Sequence, residues 1–251
     1  MAAKLHYNMR DLGVPSATSQ AAGYSVLNLA ESPVDKPWRS TTNALQNIDI
    51  DLGSAVAVTA VGVQMTNAPS FTVLADTFTV PTTNRGTLTP YADNAGRRKG
   101  VLAFAATVRY IRLQIPATSV VADDDDTVQT YYTIGAVYVF GSTLMLPRDP
   151  SYAASVKVNT PQQRVDLPNG QALAVVTGPN VSDISLPFSV RSSHDIERAG
   201  RLARLGPCWL DLDIASERWR QWPLRSVEDN FTRRIARTNA EAAELAFREP
   251  A

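Results

Sequence analysis

Lysine is scarce in this chain of 251 residues. Lys4, Lys36, Lys99 and Lys157 are the only four among 24 basic residues, and the other 20 are arginine. Arginine makes planar, forked contacts and suits interfaces, while a GC-rich genome produces the same bias; both readings stand at this stage. Neither sign of charge is in excess, since Asp and Glu also total 24. A broad nucleic-acid-binding face, which needs clustered positive charge, is therefore not expected. Cys208 is the single cysteine, so no intrachain disulfide can form. Histidine is limited to His6 and His194, and no His/Cys cluster has metal-ligand spacing. Uninterrupted apolar runs such as VLAFAA are far too short to span a bilayer. The opening MAAKLHYNMRDLG has no apolar core of a secretory signal, so a soluble protein outside the usual export route is expected, and the sequons at Asn180 and Asn230 carry little weight. No glycine-rich phosphate loop, zinc-protease motif or nucleophile elbow occurs.

What is present is β patterning. Ile48, Ile50 and Leu52 alternate with Asp49 and Asp51, the period-two signature of a half-buried strand. Val61, Val63 and Met65 repeat it, as do Phe71 with Val73, and Ile111, Leu113 and Ile115 with Arg112 and Gln114 outward. Ile134–Phe140 is apolar on both faces and is expected to lie centrally or covered. Polar stretches rich in Thr, Asn, Gly and Pro separate these segments, as in a sandwich or jelly roll. Leu146–Pro150 reads as a linker because of its two prolines. Beyond it, strands are expected at Ser155–Val158, Arg164–Leu167, Ala172–Val176, Ile184–Val190, Cys208–Ile214 and Ala243–Arg248, with Pro187 favouring an edge. One helix is expected after Ser192, a fitting N-cap with Asp195 at N3, and Gly206-Pro207 ends it. Residues 1–13 read as an arm that orders only against a neighbour. The expected organisation is thus an arm at 1–13, a sandwich at 14–141 and a smaller β-rich α+β domain with one helix at 142–251.

Four segments, in order, resemble the discoidin-like domain, also called the coagulation-factor C-type domain. They are YSVLNLAESPVDKPWRS (Tyr24–Ser40), IDIDLG (Ile48–Gly53), VRYIRLQI (Val108–Ile115) and IGAVYVFG (Ile134–Gly141). The resemblance covers about half the chain and implies a galactose-binding-like jelly roll, with ligands meeting the loops at one end of the barrel. Where that family often has an acidic-Gly-Asp turn that can hold calcium, this chain reads Glu31-Ser32-Pro33. The glycine and second acid are gone, and Ca²⁺ takes about six to eight oxygens, so no metal or cofactor is expected. The segments LPFSVRSSHDIERAGRLARLGPCWLDL and ELAFREP look like parts of tail-tip or baseplate proteins of long-tailed bacteriophages.

These readings nominate residues. Trp38 is either a stacking platform for a sugar ring or a plug at the loop end of the sandwich with its indole N–H bonded to a carbonyl; the resemblance favours the plug. Asp49 and Asp51 read as the solvated side of their strand. Arg39, Asn67, Tyr91 and Arg97 join Trp38 as candidate ligand-binding residues on the end loops. Asp123–Asp126 offers a cation site or, as such runs usually do, a solvated loop. Cys208 reads as a small core residue rather than a thiol nucleophile. Trp209, Trp219 and Trp222, interleaved with Arg218, Arg220 and Arg225, read as a subunit contact.

The combined expectation is a non-enzymatic structural component of a phage tail tip or baseplate, located in the virion. It would assemble as a homo-oligomer with other tail proteins through residues 142–251. Its jelly roll would bind carbohydrate, including host-surface glycan, with no nucleic acid partner and no membrane insertion. The alternatives are a free-standing carbohydrate-binding or adhesion protein and, third, a glycan-active enzyme.

Overall fold

The computed structural model describes residues 4–31, 36–92, 98–118, 129–146, 155–159, 162–166, 172–176, 181–190, 198, 201–202, 208–211, 222–224, 232–235 and 241–248. Contacts divide the chain into one unit built on His6–Thr143 and another on Leu144–Ile214 and Trp222–Ala251. The fold is mainly β, with a jelly-roll sandwich in the first half and a β-rich second part.

The sandwich is made of β1 (Lys4–Met9), β2 (Ser16–Ala17), β3 (Trp38–Arg39), β4 (Gln46–Thr66), β5 (Phe71–Asp76), β6 (Asn84–Leu88), β7 (Tyr91–Ala92), β8 (Arg98–Ile115) and β9 (Thr133–Met145), with a short helix α1 (Asn28–Glu31). The strand order is β1-β9-β4-β8-β5-β6, with β2 on β4, β3 on β9 and β7 on β8. The expected alternation is realised in β4, where Ile48 and Ile50 are buried and Asp49 and Asp51 are not. The same strand then continues for 21 residues because it serves two ladders. Gln46–Asp51 pairs with Tyr110–Ile115 of β8, whereas Ala60–Thr66 also pairs with β9. Register breaks between Asp51 and Val56, and between Val58 and Ala60, re-aim the strand from one layer to the other. Gly53 sits in the first break at φ 77°, a left-handed conformation that glycine adopts without strain, and its amide donates to Asp51 Oδ1 at 2.8 Å.

The core lies between the layers. Phe71, Val73, Ile48, Ile50, Ile111 and Leu113 meet Val61, Val63, Ile134, Val137 and Val139 in one cluster. At about 25 cal/mol per Å² of apolar surface, this burial is the main favourable term in the unit's stability. β9 is buried on both faces from Ile134 to Gly141 and runs between β1 and β4, the central position its pattern requires.

Residues 4–9 correct the expected loose arm. They form β1 beside β9, with Leu5 and His6 buried. His6 Nδ1 lies 2.9 Å from Thr143 Oγ1, and the Arg10 amide donates to the Val139 carbonyl at 2.7 Å. Polar residues at Lys4, His6 and Asn8 hide this strand, since His6 occupies a buried position where an apolar side chain would mark a strand face.

In the second unit, β10 (Ser155–Asn159), β13 (Val181–Val190), β17 (Glu241–Arg248) and β16 (Thr232–Ile235) form an antiparallel sheet in that order. Two hairpins, β11 (Gln162–Asp166) with β12 (Ala172–Val176) and β14 (Cys208–Asp211) with β15 (Trp222–Leu224), accompany it. Pro187 lies on β13, which is flanked by two strands, yet β10 reaches only Val181–Ser185. At Pro187 only β17 is paired, so the missing amide costs no ladder bond on the other side. Residues 198, 201 and 202 are helical; the Ser192 cap and residues 147–150 of the linker lie outside the described residues. Among the described residues, no helix is long and apolar enough to cross a membrane.

The loop after β5 is fastened by one carboxylate. Asp76 Oδ2 accepts from the Thr83 hydroxyl at 2.8 Å and from the Thr83 and Thr82 amides at 3.0 and 3.2 Å. The Thr83 hydroxyl, then the two amides, hold its carboxyl below the ordinary value of 3.8. A pKa lower in the folded chain adds stability that is present above about pH 4 and is lost as pH falls through the folded value. Asp76→Asn removes that dependence. Denaturant unfolding at a series of acid pH values should show wild type losing stability more steeply than the variant below about pH 4.

Candidate functional site

Two residues of β3 decide the loop end of the sandwich. Successive side chains on a strand point to opposite faces, and β3 pairs Trp38 with Ile134 and Arg39 with Thr133. Trp38 therefore points inward. It is 0% exposed, and its Nε1 donates to the Ser19 carbonyl at 3.1 Å. This corrects its nomination as a ligand-binding residue: a fully enclosed indole presents no face to a sugar. Trp38 is the plug.

Arg39 points outward. Its amide donates to the Tyr24 carbonyl and its carbonyl accepts from the Ala21 amide, which ties the 21–24 segment beside β3. The guanidinium carbon then lies 3.3 Å from the centre of the Tyr131 ring and 5.1 Å from that of Tyr24. Such contacts stabilise by about 0.5–1 kcal/mol where exposed, and two of them fix a side chain that otherwise has many rotamers. Among the described residues, no hydrogen-bond acceptor and no carboxylate engages the Arg39 guanidinium.

The rim beneath is braced by polar groups. Asn67 Nδ2 donates to the Tyr131 carbonyl at 3.0 Å while its Oδ1 accepts from the Thr133 amide at 2.8 Å. With both ends of its amide engaged and 5% exposure, Asn67 positions Tyr131 rather than a ligand, a second correction. Tyr132, fully buried, places its hydroxyl 2.7 Å from the Pro116 carbonyl and 3.0 Å from those of Asn43 and Thr118, and accepts from the Thr118 amide. One phenol thus gathers two loop segments, at Asn43 and at Pro116–Thr118. Ser40 Oγ accepts from the Tyr132 amide at 2.7 Å and closes the rim.

Tyr91 lies on β7 opposite Lys99 of β8 and is not one of the rings on Arg39. Arg97 and Asp123–Asp126 lie outside the described residues, as do Arg218, Trp219, Arg220 and Arg225. Trp209 corrects the expected interface cluster, because it is fully buried within this chain. Trp222 stands opposite Leu210 in the β14–β15 hairpin. Cys208 is buried, and burial pushes its thiol up to about 12, so it holds no thiolate at neutral pH. Among the described residues, no three His, Cys, Asp or Glu side chains group as metal ligands.

Tyr24 and Tyr131 were not nominated from the sequence. Phase would have found the second: in Tyr131-Tyr132, as in Trp38-Arg39, one residue enters the core and its neighbour faces out. Tyr24 is brought in by loop hydrogen bonds that leave no periodic trace.

No protein-family model matches this chain, and no curated protein does. Among solved structures it is similar to chitosan-binding module 1 from a chitosanase/glucanase of Paenibacillus sp. IK-5, at 22% identity over 52% of this chain and 96% of that one, with a TM-score of 0.42. It is similar to CBM32-3 from a family 31 glycoside hydrolase of Clostridium perfringens, at 16% identity over 55% and 91%, TM-score 0.43. The family 32 CBM from C. perfringens NanJ in complex with galactose matches at 15% identity over 51% and 92%, TM-score 0.41.

The plug and the outward arginine should separate cleanly in unfolding experiments. Trp38→Ala should destabilise by about 3–5 kcal/mol, the range for emptying an aromatic site in a core. Arg39→Ala should cost about 1 kcal/mol or less, the loss of its two ring contacts. Denaturant midpoints at constant slope measure both.

Proposed function

We propose that the first unit is a non-enzymatic carbohydrate-binding module whose ligand meets the loop end at Arg39, Tyr24 and Tyr131. The observation that carries the reading is the guanidinium held over two tyrosine rings with its N–H donors unclaimed by any described residue. Sugar recognition needs donors and acceptors fixed beside an aromatic surface. Arg39 supplies the donors and, at 36% exposure, Tyr24 supplies a reachable ring edge and hydroxyl. The braces at Asn67 and Tyr132 hold the arrangement before a ligand arrives, which lowers the ordering cost of binding.

This reading fits a free-standing carbohydrate-binding or adhesion protein without further parts. A tail-tip component located in a phage virion would in addition need assembly contacts through residues 142–251, and Trp209, one of the side chains nominated for them, is enclosed within its own chain.

The probes follow the ligands named for the similar structures, galactose and chitosan oligomers. Calorimetric titration of the full chain with each should show binding at millimolar concentration or below. Arg39→Ala, while folded, should weaken it by at least about tenfold, equivalent to about 1.4 kcal/mol. Unchanged affinity in a folded Arg39→Ala protein would place the ligand elsewhere.

A further inference from the structure

A cleft of about 350 Å³ crosses the outward face of β4 and β8. It shares no residue with the loop-end site. The sheet order places β2 beside β4 and β5 beside β8. The segment entering β2 therefore forms one wall, through Val14 and Ser16, and the loop leaving β5 forms the other, through Thr79, Val80 and Pro81. Asp49, Asp51, Tyr110 and Arg112 contribute to the floor.

Each carboxylate of the floor is paired with a guanidinium, Asp49 with Arg112 of the floor and Asp51 with Arg109 beside it. Arg112 Nε and Nη2 donate to Asp49 Oδ1 and Oδ2 at 2.6 and 3.0 Å. Arg109 Nε and Nη2 donate to Asp51 Oδ1 and Oδ2 at 2.8 and 2.9 Å, and this hydrogen bonding holds the Asp51 carboxyl below its ordinary range. Each fork uses only two N–H donors of the guanidinium and leaves lone pairs on the carboxylate. Donor and acceptor edges thus stand side by side at fixed spacing, with no uncompensated charge to attract an ion. The walls are the opposite in character. Val14 and Val80 are 78% and 61% exposed, an unusual position for two valines flanking one polar strip. Both walls are held in place: Asp76 fastens the second through Thr82 and Thr83. Gly13 allows the first, because a Cβ there would lie 2.7 Å from the Asp51 carbonyl oxygen.

We propose that this cleft is a second carbohydrate subsite, for a neutral sugar ring. Vicinal hydroxyls can donate to a carboxylate oxygen and accept from the guanidinium N–H beside it, while the valines cover the C–H face of the ring. Its volume lies at the small end of the range of about 300–1,000 Å³ typical of ligand sites. Balanced charge disfavours sulfated and uronic sugars here, unlike the loop end, where no described carboxylate pairs with Arg39.

The test is made in full-length Arg39→Ala protein, so that the cleft is read apart from the loop end. Galactose, glucose, mannose and N-acetylglucosamine at millimolar concentration, with glucuronate and galactose 6-sulfate as anionic counterparts, are titrated while backbone amide shifts are followed. The expected result is one equivalent of a neutral sugar, with shifts at Asp49–Asp51 and Tyr110–Arg112. Val80→Asp, on an exposed loop position, should weaken binding by at least about tenfold, and Arg112→Gln should do likewise. The proposal is overturned if no neutral sugar of the panel moves those amides, if the anionic sugars bind as tightly, or if a folded Val80→Asp protein binds unchanged. Because Arg39 is already removed, failure of the loop-end reading leaves each of these outcomes informative.

Discussion

The first unit depends on the burial of Trp38. A strand of two residues has no ladder of its own worth the name, and β3 is fixed to β9 because an indole fills the end of the core behind it. Once Trp38 is inside, the pleat leaves Arg39 no choice but to face out, and the pairing with Thr133 sets it beside Tyr131. The polar braces share this origin. Ser19 receives the indole N–H through its carbonyl, and its hydroxyl donates to Gln46 Oε1 at the start of β4. An apolar interaction in the core thereby positions a cation at the surface. That is why the best candidate for ligand contact is the neighbour of the tryptophan and not the tryptophan.

The long strand β4 repeats the logic on the flank. Its inner side chains belong to the core cluster, so Asp49 and Asp51 are driven to the outer face. The cross-strand neighbours on β8 are read in the same phase, and Arg112 stands directly opposite Asp49. Arg109 reaches Asp51 because the register break beside Gly53 offsets the ladder there. Exposed ion pairs of this kind contribute little to stability. Their main consequence is geometric: they hold two long arginine side chains in one arrangement against two carboxylates.

Much of this was legible in the sequence, for reasons tied to particular residues. Ile48, Ile50 and Leu52 announced the half-buried strand, and the doubly apolar Ile134–Phe140 announced the central one, because both signals come from side-chain period and burial. Other features escaped for equally physical reasons. β1 puts His6 where a hydrophobic residue would have marked it. Asn67 looks like a ligand contact by type, and only its two hydrogen bonds reveal a brace. Trp209, among arginines, imitates an interface anchor while being enclosed. The Tyr24–Arg39–Tyr131 stack joins residues more than 100 positions apart in sequence, and no local pattern encodes that meeting.

The abundance of arginine over lysine acquires a local explanation in the first unit. Arg109 and Arg112 each bind a carboxylate with two donors in parallel, a geometry that a lysine ammonium cannot copy. Arg85 directs Nε and Nη2 together onto the Ala75 carbonyl, and Arg98 bonds the Pro90 carbonyl. Arg39 uses the flatness of the group instead, lying over aromatic rings. Five arginines thus serve within their own unit, which neither an intersubunit role nor genome composition requires. Only Arg39 among these five spends none of its guanidinium donors on a described residue. A guanidinium laid over two rings, its N–H edges unclaimed by any described residue, is what supports reading Arg39 as the ligand contact.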